Sequence, residues 1–187
     1  MAKSIKRIVV IGPESTGKSS LCAALSSHYK TIWVKEYARE YLERNGKYYT
    51  FEDIYKIAIG QLEEERSAVN ETEILVSENE VIPLFVDTDL YVIKVWSEFV
   101  FDRCDNRILT EISKRQNDLY LLCDVDLPWV EDNLREYPDV KVREKLFHYY
   151  KEEMTAQRTP WKIISGNYDE RIATAIKFTG EILRGNK

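Results

Sequence analysis

The chain has 187 residues, 44% of them hydrophobic and 32% charged, with a net charge of −5 and a pI near 5.3. That is the balance of a soluble globular protein with one buried core, and the acidic excess disfavours a polynucleotide partner. No apolar run approaches the ~20 residues of a bilayer span and the charged start lacks a signal-peptide core, so the expected setting is cytoplasmic, with no membrane and no nucleic acid as partner.

The first predicted element is a buried strand, the β-branched run Ile8-Val9-Val10-Ile11. It leads into Gly12-Pro13-Glu14-Ser15-Thr16-Gly17-Lys18-Ser19, which has the spacing G-x4-G-K-[ST] of a phosphate-binding loop. Gly12 lets the chain turn sharply out of the strand, and Gly17 lets the main chain approach a phosphate. The loop N–H groups converge at the positive end of the next helix, residues 18–29. Residues 12–20, closing with Ser20, are therefore expected to hold the phosphates of ATP. Lys18 is expected at the β/γ-phosphates and the Ser19 hydroxyl at Mg²⁺. Leu21, Ala24, Leu25 and His28 share one stripe of this helix, which predicts a partly buried His28.

A short strand, Thr31-Ile32-Trp33-Val34, follows and presents Glu36 at its end. Tyr37-Ala38-Arg39 open a helix that runs to about Glu43 and stops at Asn45-Gly46. Residues 50–70 read as a long helix started by Thr50 and Asp53 in a capping-box-like pair. Gly60 is read as a close-packing position, Gln61 as packing or pocket, and Glu63-Glu64-Glu65 as a solvated face. The apolar strand of residues 82–86 ends in Asp87-Thr88-Asp89. A strand-end acid is the usual second element of such sites, so Asp87 is expected at the metal, and Asp89 as a helix cap or a second polar pocket group. Residues 90–101 then form a helix with an aromatic face that includes Trp96.

Residues 111–116 complete a further polar helix, and residues 118–124 are the fourth strand. The stretch 127–138 lacks periodicity, is bracketed by prolines and leads into a helix from about 140 to 155 that carries Arg143. An arginine-bearing segment at this point, about 127–145, is where nucleotide kinases keep a lid. Trp161-Lys162-Ile163-Ile164 is the fifth strand, and the turn at Gly166 is expected to border the nucleotide base before a helix of residues 168–184. The three cysteines, Cys22, Cys104 and Cys123, are odd in number and widely spaced, so they read as reduced thiols. Five βα units without repeats or a composition break predict an α/β fold with one domain over residues 1–187. Its form is a P-loop three-layer sandwich, a five-stranded parallel sheet with helices on both faces.

A phosphate loop alone does not separate kinases from other nucleotide hydrolases. The fourth strand ends Cys123-Asp124-Val125-Asp126 without a guanine signature, and the length is short for a ring-forming AAA+ subunit with its helical lid domain. An acid at the second strand end, another at the third and arginines after the fourth suit a small kinase.

In sequence order, GPESTGKSSL, VKEYAREYL, a helix with GQ, FVDTDLYVIKVWSE, DLPWVEDNLR and SGNYDER resemble the ribosylnicotinamide kinase domain of NadR-type proteins, from about Ile8 to Arg171. The resemblance implies ATP-dependent phosphorylation of nicotinamide riboside at its 5′-hydroxyl, giving nicotinamide mononucleotide in NAD salvage. Longer members add a nucleotidyltransferase domain with an HxGH site. The two histidines here, His28 and His148, are far apart, so the chain reads as the kinase part standing alone. Asp132-Asn133 stands where the family commonly has Asp-Gly, and asparagine also tolerates the left-handed turn conformation. Tyr91-Val92-Ile93 stand where threonines are frequent.

On this reading Lys18 and the loop hold ATP, while Ser19 and Asp87 serve Mg²⁺. Glu36, with Asp87 as the alternative, deprotonates the nucleoside hydroxyl. Tyr37, Arg39 and Asp89 bind the nucleoside, and Trp96 is placed to stack on its pyridinium ring. Arg135 and Arg143 close on the transferring phosphoryl. The alternatives are a kinase for another nucleoside or nucleotide, and a regulatory P-loop ATPase module.

Overall fold

The computed structural model describes residues 4–75, 77, 78 and 80–185. Its centre is a five-stranded, all-parallel sheet in the order β2-β3-β1-β4-β5. The strands are β1 (Ser4–Ile11), β2 (Trp33–Val34), β3 (Val81–Asp87), β4 (Leu119–Cys123) and β5 (Trp161–Ile164). Between and after them run α1 (Lys18–Tyr29), α2 (Tyr37–Asn45), α3 (Phe51–Leu75), α4 (Leu90–Phe101), α5 (Asn106–Lys114), α6 (Val140–Ala156) and α7 (Tyr168–Leu183).

Side chains alternate across a strand, so one sheet builds two cores. Val9, Ile11, Leu84, Val86, Tyr120 and Leu122 pack on one face with Ala68 of α3, Val95 of α4 and Met154 of α6. Ile8, Val10, Phe85, Leu119, Leu121 and Ile164 pack on the other with Leu21 and Leu25 of α1 and Ala175 of α7. A third cluster, with Ala38, Ile54, Ile57, Leu90, Ile93 and Ile108, joins α2, α3, α4 and α5 beside the sheet. The three-layer α/β sandwich expected from the sequence is therefore the fold. In register, Val10 lies between Asp87 and Leu121, so the exit of β1 and the end of β3 meet at one sheet edge. That edge is where the strand order reverses, the position at which open α/β sheets bind ligands.

Local signals placed several helix starts. Thr50 and Asp53 exchange hydrogen bonds ahead of α3, and Asn167 and Glu170 form a full capping box on α7. Some expectations differ. β2 holds only Trp33 and Val34, and α5 ends at Lys114 rather than Gln116. His28 is exposed, because α1 turns Leu21, Cys22, Leu25 and Ser26 inward instead. Glu65 is not solvated: it is buried and paired with Arg115, whose own burial, with Arg7 nearby, lowers its pKa to about 10.

Candidate active site

The loop between β1 and α1 takes its shape from three left-handed residues. Gly12 has φ +140°, and a Cβ there would sit 2.8 Å from the carbonyl oxygen of Cys123, so only glycine allows β4 this close. Ser15 (φ +56°) and Gly17 (φ +79°) continue the turn, which is the kind of backbone that aims successive N–H groups into a concavity. Thr16 donates its hydroxyl to the Pro13 carbonyl at 2.8 Å, and Lys18 donates from Nζ to the same oxygen at 3.0 Å.

From below, Arg171 holds the loop. This buried guanidinium donates to the carbonyls of Gly166 at 2.8 Å, Thr16 at 3.1 Å and Asp124 at 3.1 Å, and it pairs with Asp126. The phosphate loop, the end of β4 and the turn after β5 are thereby tied through one side chain. Sequence reasoning gave Arg171 no role; its only signal was its place at the end of the SGNYDER motif.

Asp87 is 1% exposed and accepts the Ser19 hydroxyl at 2.5 Å. Its Oδ1 has no hydrogen-bond partner. Burial first, and the neighbouring Glu36 second, push its pKa up to about 6, against the pull of Lys18 and Ser19. Glu36 occupies the N-cap position of α2 but makes no side-chain cap hydrogen bond, and the N–H of Tyr37 donates to Gln61 Oε1 at 2.8 Å. A cavity of about 190 Å³ is lined by residues 12–20, Glu36, Arg39, Trp96, Arg135 and an aromatic group of Phe99, Tyr137 and Tyr150. Every residue of the loop expected at ATP, from Gly12, Pro13, Glu14, Ser15 and Thr16 through Gly17, Lys18, Ser19 and Ser20, thus shares one space with Glu36.

The segment between β4 and α6 rests on this loop. The Glu14 carboxylate accepts the N–H groups of Glu136 at 2.9 Å and Tyr137 at 3.1 Å, and burial raises its pKa against those bonds. Ser15 Oγ accepts the Val130 N–H at 2.9 Å. On the other side Arg39 pairs with Asp132 at 3.1 Å, and Tyr49 donates to Glu136 at 2.9 Å while accepting from Trp96 Nε1 at 2.9 Å. Asp132 builds its own turn by accepting the Leu134 N–H at 3.0 Å, so Asn133 is not needed in the left-handed conformation and is not in it.

Besides Asp87, which is joined to the cavity wall through Ser19, four residues expected in the site lie off this cavity. Tyr37 packs its ring on Gly60 of α3, where even a Cβ would collide with it. Asp89 caps α4 through the Tyr91 N–H and accepts from Tyr120 at 2.8 Å, on a separate cavity with Asn117 and Arg158. Burial pushes its pKa up to about 6. Gly166 spends its N–H on Asp126 and its carbonyl on Arg171. Arg143 is 4% exposed, lies 5.4 Å from the Trp129 ring centre, and leaves Nε and one terminal nitrogen without partners.

Residues 7–171 match the family described as AAA domain, and the chain belongs to that family. The trifunctional NAD biosynthesis/regulator protein NadR of Salmonella typhimurium is 25% identical over 185 residues, covering 96% of this chain and 43% of that protein. The chain therefore spans less than half the length of this curated relative. Among solved structures, a NadR protein in complex with NR superposes with a TM-score of 0.78 at 21% identity, covering 97% of this chain and 50% of that one. NadR in complex with NAD and AMP-PNP gives 0.73 at 23% identity, again covering 97% and 50%. Deoxyadenosine kinase from M. mycoides with bound dATP gives 0.60 at 14% identity, covering 94% of this chain and 100% of that one. The fold is thus shared with NadR and with a nucleoside kinase.

Proposed function

We propose that the chain is an ATP-dependent kinase that phosphorylates nicotinamide riboside at its 5′-hydroxyl. The observation that carries the reading is the joint occupancy of one cavity by the phosphate loop and Glu36, with Asp87 held to the loop through Ser19. A donor loop and an acidic acceptor group that line one cavity suit phosphoryl transfer between them. Similarity to NadR, one solved form of which contains NR, supports the choice of acceptor.

Loop N–H groups and Lys18 would bind the triphosphate, with Lys18 leaving the Pro13 carbonyl for the β/γ-phosphates. The residues present fit Mg²⁺. Asp87 offers an unpartnered carboxylate oxygen and Ser19 a hydroxyl, both hard donors. Among the described residues no cluster of three or more His, Cys, Asp or Glu side chains forms a cage, which suits a cation that keeps waters and phosphate oxygens as ligands. When bound, the ion supplies charge neutralisation at the β/γ-phosphates.

Glu36 takes the proton of the acceptor hydroxyl as its oxygen bonds to the γ-phosphorus and the bond to ADP breaks. Arg135 on the cavity wall, and Arg143 once the 127–145 segment closes as a lid, offset the charge on the transferring group. Trp96 and its aromatic neighbours suit a flat cationic ring.

The test is Mg-ATP turnover against a panel of nucleosides, with Lys18→Ala as the blank. Nicotinamide riboside should stimulate ADP release and yield its monophosphate. Stimulation by a different nucleoside alone would redirect the acceptor assignment. Slow hydrolysis unaffected by any acceptor would favour a regulatory ATPase and overturn the kinase reading.

A further inference from the structure

Three consecutive residues at the end of β3 send their side chains to three partners. Asp87 goes to Ser19, Asp89 to the start of α4 and Tyr120, and Thr88 between them to Glu36. The divergence is made by a left-handed kink: Thr88 is buried with φ +73°. For a β-branched residue that conformation is a genuine outlier, and such strain concentrates where function requires it.

The kink alone does not account for a threonine. Its N–H donates to the Val10 carbonyl at 3.1 Å, a bond that any residue but proline would make, and glycine would adopt the conformation without strain. What the side chain adds is its hydroxyl, which donates to Glu36 Oε1 at 3.4 Å. Among the described residues this is the one hydrogen bond that reaches the Glu36 carboxylate. It is long, as catalytic contacts often are before substrate binds.

Glu36 is also excused from the usual duty of its position. An N-cap carboxylate ordinarily bonds the first N–H groups of its helix. Here Glu36 makes no such bond, and Gln61, buried on α3, takes the adjacent Tyr37 N–H. The Glu36 side chain is left without a helix bond to fix its rotamer, at the wall of the cavity.

We propose that Thr88 is a positioning residue for Glu36. Its strained backbone carries the hydroxyl to one carboxylate oxygen, so that the other stays free to take the acceptor's proton. This rests on the reading of Glu36 as the base.

The test compares Thr88→Val, Thr88→Ser and Thr88→Gly with wild type and Glu36→Gln, using the best acceptor of the nucleoside panel and thermal melts of every variant. Thr88→Val keeps the shape and loses the hydroxyl, and Thr88→Gly releases the strain and loses the hydroxyl. Both should lower kcat tenfold or more with KM for ATP within twofold. Thr88→Ser should stay within threefold of wild type. Wild-type kcat in Thr88→Val or Thr88→Gly, beside an inactive Glu36→Gln, would overturn the role of Thr88 while leaving the kinase intact. An active Glu36→Gln, or no phosphorylated acceptor at all, would remove the base assignment and this inference with it.

Discussion

Replacing Asp87 with asparagine should stabilise the protein at neutral pH and disable it. In the fold this carboxyl titrates near 6 rather than at its ordinary 3.8, because burial and then Glu36 oppose its charge. Between about pH 4 and 6 the folded chain binds more protons at this site than the unfolded chain, so stability falls as pH rises. Above that window both states are ionised and the folded state carries the whole cost, about 3 kcal/mol. Asparagine keeps the shape, accepts the Ser19 hydroxyl and brings no charge. Asp87→Asn should therefore be about 3 kcal/mol more stable than wild type at pH 7.5, a rise in Tm of about 6–12 °C for a chain of this size. Asp89 titrates upward in the same sense, but it is present in both proteins and cancels from the difference. The assay is thermal and urea unfolding of the two proteins, without nucleotide, at pH 4, 5, 6 and 7.5. The gap should close toward pH 4. A variant less stable at pH 7.5, or a gap that does not change with pH, would refute the argument. Excess Mg-ATP should then stabilise wild type more than the variant, since a ligand that binds only the folded state adds to its stability.

Two further substitutions test what supports the site. Gly60→Ala should lower stability by about 1–3 kcal/mol, because the new Cβ collides with the Tyr37 ring and must displace it. The same shift moves the start of α2 and with it Glu36, so kcat should fall more than KM for ATP; melts and initial rates check both. Arg171→Ala removes the donors to three carbonyls, while exposed Asp126 keeps the Gly166 N–H, at a cost of about 3 kcal/mol. Calorimetric titration of the folded variant should show weakened ATP binding, since the Thr16 carbonyl it anchors belongs to the phosphate loop.

What the sequence revealed and what it hid divide by the range of the interaction. The strand of Ile8-Val9-Val10-Ile11, the phosphate loop, the Thr50–Asp53 pair and the acid at the end of β3 are written in spacings of a few residues. Their physics is local: period-two burial, a glycine where φ is positive, a cap three residues from its partner. Glu65 looked like the end of an acidic run, and its partner Arg115 lies on the far side of β3, where no periodicity can reach it. Tyr37 and Asp89 were legible as residues near the right sheet edge but not in direction. Tyr37 turns because Gly60 leaves room for its ring, and Asp89 because Thr88 kinks the chain before it. Arg171 was visible only as a motif letter, since its three carbonyl partners come from three separate segments.

The distribution of unneutralised charge supports the proposed chemistry from a second direction. Among the other buried charges, Glu65 pairs with Arg115 and Arg171 with Asp126, while Asp89 has no ion pair but accepts from Tyr120, Asn117 and the Tyr91 N–H. Asp87 and Arg143 are as deeply buried, yet neither forms an ion pair among the described residues, and each keeps polar atoms without partners. An unpaired buried charge is among the most destabilising features a fold can retain. One is a carboxylate oxygen suited to a cation, the other a guanidinium suited to an anion. In the function proposed above, a magnesium-bound triphosphate would bring a cation to Asp87, and a phosphate to Arg143 once that side chain reaches the cavity. Binding would then supply two pairings that the fold itself omits, which ties nucleotide capture to the stability of the folded chain.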